Sequence, residues 1–299
     1  MTEIGGVLPA LVTPVNDAGA FQARPFEQLL DRVYGAGVHG VYVCGQTGEG
    51  LQLSLNDRRA ATECAVRHSP KGAKVIVHVG APTTADAVAL ARHAARSGAN
   101  IISSLPPSGS YSFDEVRQYY EALAQSSELP LLIYYFPSMA PSIQSTEQIL
   151  ELCAIPNVIG LKFTDSDFYQ MWVIRQTGAV VFAGSDEMLI AGLIMGANGG
   201  IGITYNLIPA TYAQLYRMVR EKRWEEARLI QEEINEFMQA ILRYPVHSAV
   251  KQLLKWSGID CGSCILPRRE LTGDEQVTLR TEVLKTELGQ ALLAEALEA

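Results

Sequence analysis

The sequence predicts an α/β fold, a (β/α)8 TIM barrel with a C-terminal helical appendage, on three observations. Eight short apolar runs recur along the first two-thirds of the chain, amphipathic stretches fill the gaps between them, and the strand pattern stops after Tyr205. The runs are Gly6–Pro14, Gly37–Cys44, Lys74–Gly80, Asn100–Pro106, Leu129–Pro137, Val158–Thr164, Ala179–Gly184 and Gly199–Thr204. Each is almost continuously apolar rather than alternating, as expected of parallel strands covered on both faces. Regular alternation of strand and helix implies a parallel sheet, and eight units without an extra strand favour closure into a barrel. The competing architecture is a doubly wound open sheet. It would want a Gly-rich phosphate turn after the first strand, and Leu11-Val12-Thr13-Pro14 is not one.

The intervening segments read as helices by their spacing. Ala85–Ser97 places Ala87, Leu90, Ala91 and Ala94 on one face. Phe113–Gln125 does the same with Val116, Tyr119, Tyr120 and Leu123, and Ser145–Cys153 starts on a capping serine. From about residue 207 onward only helices are expected, broken at Pro245, Gly258–Pro267 and Gly273. We assign residues 1–222 to the barrel and 223–299 to the appendage.

Composition narrows the partners. The chain has 299 residues, is 48% hydrophobic and carries a formal net charge of -8, so it lacks the basic footprint of a nucleic-acid binder. No Lys/Arg-rich run exists to dock on an anionic membrane. The start, MTEIGGVLPA, lacks the pattern of a signal peptide, and a cytoplasmic location is expected. Met188 to Tyr216 holds no charged residue and is long enough to span a bilayer. Gly199-Gly200, Pro209, Asn198 and Asn206 interrupt it, and it reads as helix, buried strand and loop. Five cysteines argue against a disulfide framework. Cys261-Gly-Ser-Cys264 lacks the second ligand pair of a closed zinc site and reads as a turn with two ordinary thiols. The five histidines are scattered; His78, on a strand, is the one that merits a metal assay.

In a barrel of this kind the active site gathers at the C-terminal ends of the strands. The second strand ends in Cys44-Gly45-Gln46-Thr47-Gly48-Glu49-Gly50, where flanking glycines can expose backbone N–H groups as a nest for a carboxylate or phosphate. The fifth ends in Tyr134-Tyr135-Phe136-Pro137; consecutive strand residues point to opposite faces, so one phenol reaches the interior and the other the helical layer. The sixth contains Lys162, which alone of seven lysines sits inside an apolar run near its C-terminal end. Burying an ammonium is costly unless it is paired or neutral, and a neutral amine is what Schiff-base chemistry needs. A structural pair with Asp165 is the plain alternative. The seventh and eighth strands bring Gly184-Ser185-Asp186-Glu187 and Gly202-Ile203-Thr204 to the same rim. Asp186 and Glu187 can equally serve as helix N-terminal charges.

These motifs, in this order and over essentially the whole chain, resemble the pyruvate-dependent class I aldolases of the N-acetylneuraminate lyase and dihydrodipicolinate synthase family, closest to the lyase branch. The resemblance rests on Gly45–Glu49, Tyr134–Pro137, Gly160–Thr164 and Gly199–Gly202, with Lys162–Met171 and Gly184–Glu187 pointing to the lyase. Ser138-Met139 after Pro137 lacks the arginine that holds a carboxylate in the synthase. The resemblance implies a Schiff base on Lys162, a proton shuttle at Tyr134, and a 2-oxo acid carboxylate held by Gln46 and Thr47. It further implies that Thr164, Gly184, Asp186, Glu187, Gly202 and Ile203 line the sugar half. The implied reaction cleaves a 2-oxo sugar acid, N-acetylneuraminate, to pyruvate and N-acetylmannosamine, with no cofactor or metal and in a homotetramer. Gln46 stands where the family usually has Ser or Thr, Ile203 where the lyase often has Ser, and the loop Pro106–Tyr111 lacks a usual tyrosine pair. Two other readings stay open: an aldolase or dehydratase acting on another 2-keto-3-deoxy sugar acid, and a non-catalytic sugar-acid-binding barrel.

Overall fold

The computed structural model describes residues 4–294. Eight parallel strands, β1 (Gly6–Pro9), β2 (Gly40–Val43), β3 (Lys74–His78), β4 (Ile101–Ser104), β5 (Leu131–Tyr135), β6 (Val158–Phe163), β7 (Val180–Ala183) and β8 (Gly199–Gly202), form one sheet. They alternate with α1 (Ala23–Gly35), α2 (Leu55–His68), α3 (Thr84–Ser97), α4 (Phe113–Ala124), α5 (Thr146–Cys153), α6 (Phe168–Arg175), α7 (Leu189–Ile194) and α8 (Pro209–Arg220). β1 pairs with β8, and a parallel bridge between Ala10 and Tyr42 with the Leu11 N–H on the Tyr42 carbonyl completes the ring. The barrel expected from eight apolar runs is therefore present, and every strand lies within its run. The runs overshoot at their C-terminal ends because apolar residues continue into the loops that form the rim.

Side-chain chemistry fixes the helix ends. Ser54, Thr83, Ser112 and Ser145 accept the backbone N–H three residues on, and Ser112 forms a full capping box with Glu115. The uncharged stretch near residue 200 divides into α7, β8 and the start of α8, and no helix among the described residues is long and apolar enough to cross a membrane. Four more helices follow: α9 (Trp224–Ile241), α10 (Val246–Trp256), α11 (Gly273–Val283) and α12 (Glu287–Ala294).

Two apolar layers result. The outer one packs the helices on the barrel; the inner one fills it with Leu8, Tyr42, Ile76, Ile101, Leu132, Tyr134, Phe182 and Ile201 among others. One irregularity sets the inward phase of β6. Its pairing with β5 shifts by one residue, from Leu131–Val158 to Leu132–Gly160, so that Lys162 comes level with Tyr134. Gly160 takes φ +147°, and a Cβ there would lie 1.9 Å from the Val180 carbonyl oxygen. Only glycine fits both demands.

Candidate active site

Lys162 projects into the barrel near the C-terminal end of β6 and is only 4% exposed. Its Nζ lies 4.2 Å from the centre of the Tyr134 ring and 4.9 Å from that of Tyr42. No carboxylate pairs with it among the described residues. Asp165, the sequence-level alternative partner, instead accepts the N–H groups of Ser166 and Asp167. The amine thus sits between two aromatic faces, which stabilise a positive charge on it or on an iminium formed from it by ~1–2 kcal/mol. Tyr42 donates to the Ser103 hydroxyl at 3.0 Å, and His78 is held by accepting the Leu105 N–H at 3.1 Å through Nε2. Burial, with the positive charges of Arg58 and Lys162 nearby, holds His78 well below the usual imidazole range. It stands as a neutral wall of the barrel interior.

On the β2 rim, the backbone N–H groups of Gln46 and Thr47 donate to no acceptor among the described residues. They are free to receive an anion. The turn is held in a costly shape: Cys44 and Glu49, neither of them glycine, take φ of 58° and 52°. The Glu49 side chain turns away from the barrel axis and is buried. It pairs with Lys251 of α10 at 2.8 Å and accepts the Ile265 N–H at 2.7 Å. His247, one turn before Lys251, donates from Nε2 to the Gln46 carbonyl at 3.1 Å and accepts from Arg268 at Nδ1. This tautomer requires a neutral ring. Burial first, and then the Arg268 charge, lower His247 to about 4.

On the β7–β8 rim, Asp186 is buried. Thr204 donates to its Oδ2 from both N–H and Oγ1, at 2.7 and 2.6 Å. The Thr204 hydroxyl, having given its proton, accepts from the Tyr212 phenol at 2.6 Å. Burial pushes the Asp186 carboxyl up to about 6, against the lowering pull of the Thr204 donors. Gln231 of α9 holds the Asp186 carbonyl from behind at 3.2 Å. A Cβ at Gly202 would fall 2.0 Å from Asp186 Oδ1, and one at Gly184 2.0 Å from Thr164 Oγ1. Both glycines are therefore set by the close approach of a polar neighbour. Thr164 Oγ1 is itself buried with no hydrogen-bond partner among the described residues, so it retains a donor and acceptor for a ligand.

A family model described as the dihydrodipicolinate synthetase family matches residues 3–286. The chain belongs to the dihydrodipicolinate synthetase family. An N-acetylneuraminate lyase from Rhizobium meliloti is 35% identical over 284 residues, covering 94% of this chain and 95% of that one. A solved CdNal from Clostridium difficile in complex with mannosamine superposes with a TM-score of 0.90 at 28% identity, covering 95% of this chain and 100% of that one. The catalytic lysine mutant of Ruminococcus gnavus sialic acid aldolase superposes with a TM-score of 0.90 at 26% identity, covering 100% of this chain and 98% of that one.

Within this member of the dihydrodipicolinate synthetase family, the residues singled out in sequence divide by position. Lys162 and Tyr134 are brought together on neighbouring strands. Gln46 and Thr47 stand on one rim loop, and Thr164, Gly184, Asp186 and Gly202 meet on another part of the rim. Glu187 is exposed beside Asp186. Ile203 is half-buried against the outer apolar layer, so its side chain is engaged with the helices. Tyr135 likewise packs outward, as the alternation of the pair requires. Tyr42, His247 and the Glu49–Lys251 pair escaped the sequence reading. Only Tyr42 carried a local signal: it stands two residues before Cys44, on an inward-facing strand position. Cys261 and Cys264 are both buried and free, and burial pushes Cys261 up to about 12, which fits two inert thiols in a turn.

Proposed function

We propose that this chain is a Schiff-base aldolase that cleaves N-acetylneuraminate to pyruvate and N-acetylmannosamine. The observation that carries the reading is the buried, carboxylate-free amine of Lys162 between the Tyr42 and Tyr134 rings, at the rim where the Gln46 and Thr47 amides stand unpaired. The substrate carboxylate binds those amides and the Thr47 hydroxyl. The Lys162 amine adds to the C2 carbonyl, and loss of water leaves an iminium. Tyr134 takes the proton from the C4 hydroxyl; the C3–C4 bonding electrons flow into the iminium as the aldehyde leaves, giving an enamine. Protonation at C3 and hydrolysis release pyruvate and restore the amine. A neighbouring cation favours the phenolate form that acts as base, and Lys162 lies against the Tyr134 ring. Thr164, Gly184, Asp186, Glu187 and the backbone at Gly202–Ile203 surround the sugar half. The N-acetylneuraminate lyase name of the 35% identical relative and the mannosamine in the Clostridium difficile complex support this choice of sugar.

The test is borohydride reduction in the presence of pyruvate, followed by peptide mapping, with cleavage of N-acetylneuraminate compared against 2-keto-3-deoxy sugar acids. A single adduct on Lys162 and preferential cleavage of N-acetylneuraminate are expected. An adduct elsewhere, or none, overturns the Schiff base; faster cleavage of a 2-keto-3-deoxy acid overturns the sugar. We also propose a cytoplasmic homotetramer. Exposed Tyr169 and Trp172 on α6, with Ile194 at the end of α7, offer apolar surface for self-association.

Asp186 provides a pH signature. Its folded value of about 6 lies above the ordinary 3.8, so the folded protein takes up this proton first on acidification. Its contribution to stability therefore improves as pH falls from about 6 to 3.8. Binding moves the other way, because the protonated carboxyl can no longer accept both Thr204 donors and a sugar hydroxyl. KM for the sugar acid is expected to rise as pH falls through about 6. Asp186→Asn should show no such inflection; the same inflection in that variant would assign it to another group.

A further inference from the structure

Cys64 and His68 lie one turn apart on α2 and face Glu27 of α1. The Cys64 thiol points at Glu27 Oε1 from 3.8 Å, and His68 Nδ1 stands 3.9 Å from the same oxygen. One ligand atom from each residue falls within 4.8 Å of the other two. His68 Nδ1 is buried with no hydrogen-bond partner among the described residues, although its distance to Glu27 is too long for a hydrogen bond. A buried ring nitrogen without a partner, in either tautomer, is an unmet demand. Histidines so scattered in sequence suggested no ligand set, yet the helix repeat and the packing of α1 on α2 assemble one.

We propose that Glu27, Cys64 and His68 bind a divalent ion of zinc character. Thiolate, imidazole and carboxylate together select a borderline-soft ion over Mg²⁺ or Ca²⁺. Tetrahedral Zn²⁺, with bonds of about 2.0–2.3 Å, holds its ligand atoms about 3.3–3.5 Å apart. The 3.8 and 3.9 Å to the Glu27 oxygen, and the Cys64–His68 separation of at most 4.8 Å, reach that spacing by rotation of the partly exposed Glu27 and His68 side chains. Three protein ligands leave the fourth position for water. Cys64 is buried at the back of the site, while His68 and Glu27 are about a third exposed and leave a way in from solvent. On binding, the Sγ–H bond breaks, its proton passes to solvent and the sulfur pair forms the metal bond; Glu27 and His68 contribute existing lone pairs. Burial first, and then the Glu27 charge, push the thiol up to about 11, so the metal-free site is a thiol and not a reactive thiolate. The ion would clasp α1 to α2 near the C-terminal end of α2, away from the Gln46–Thr47 loop that precedes this helix.

Titration of the chelator-stripped full chain with Co²⁺ tests the site through the thiolate-to-cobalt absorption band. The expected band saturates at one equivalent, is displaced by Zn²⁺, vanishes in Cys64→Ser and persists in Cys153→Ser. His68→Ala, at a partly exposed position that leaves the core thiol in place, is expected to weaken Co²⁺ binding by about tenfold or more. Zn²⁺ should raise the melting temperature of the parent chain by a few degrees and that of Cys64→Ser not at all. Absence of a thiolate band, a band that survives Cys64→Ser, or unchanged affinity in His68→Ala overturns the proposal.

Discussion

Replacing Lys162 by methionine is expected to cut pyruvate release by about 10⁴-fold or more while leaving the barrel folded. The two effects separate because the amine does one thing for the reaction and another for the fold. For the reaction it is the only group of the inner layer that can form an iminium, and no neighbour can replace it: Tyr42 and Tyr134 are phenols, and His78 is committed to the Leu105 N–H. For the fold it is a burden, a buried nitrogen without a carboxylate partner among the described residues. Exchange for an apolar side chain of similar length removes a desolvation cost and gives up two contacts with aromatic faces, so stability should hold or rise. Lys162→Arg should be equally inactive, since guanidinium stays protonated and is no nucleophile. Steady-state pyruvate release, borohydride trapping and thermal melts on the same samples check the claim. Wild-type turnover in Lys162→Met would end the Schiff-base reading; loss of the fold would show that the amine has a structural partner in solution.

Lys162 was legible in the sequence because the anomaly is local. One charge inside an apolar run conflicts with the burial that the run predicts, and no tertiary knowledge is needed to see it. The eight strands and the opposed faces of Tyr134 and Tyr135 were legible for the same reason, since strand period and burial are written in adjacent residues. The bulge at Gly160 was not, although it sets which residues of β6 face inward. A glycine in an apolar run looks the same whether it fills space or absorbs a register shift. The supports of the site were invisible for another reason. Glu49 meets Lys251, and Gln46 meets His247, across about two hundred residues of chain, and helix periodicity says nothing about which carboxylate a helical lysine will find. Glu27, Cys64 and His68 fall between these cases: the Cys64–His68 spacing is local, the carboxylate opposite is not. Ile203 is a different case: the resemblance placed it beside the sugar half, and its side chain packs against the outer layer.

The second large effect is expected at Lys251, far from Lys162 in sequence and absent from any motif. Its Nζ is 2.8 Å from Glu49 and also donates to the Ser263 carbonyl at 2.8 Å, with both charged side chains almost wholly buried. Lys251→Met leaves the Glu49 carboxylate inside the protein with only the Ile265 N–H and the more distant Arg268, and should cost about 3–5 kcal/mol. The double variant Glu49→Gln/Lys251→Met removes both charges and should recover most of that loss, because the net worth of a buried pair is far smaller than the penalty of breaking it. The functional consequence follows from where Glu49 sits. Its left-handed backbone, with that of Cys44, holds the turn that leaves the Gln46 and Thr47 amides unpaired. Nothing local pays for two such residues; the tie to α10, with His247 on the Gln46 carbonyl, over-determines the shape. Loosening the tie should therefore raise KM for the 2-oxo acid more than it lowers kcat, and the double variant, though stable, should keep that raised KM. Denaturant melts combined with the KM-against-kcat split separate the two roles. If the double variant recovers both stability and KM, the pair is only a brace for the fold. If stability returns and KM does not, the C-terminal helices take part in binding through the loop they hold.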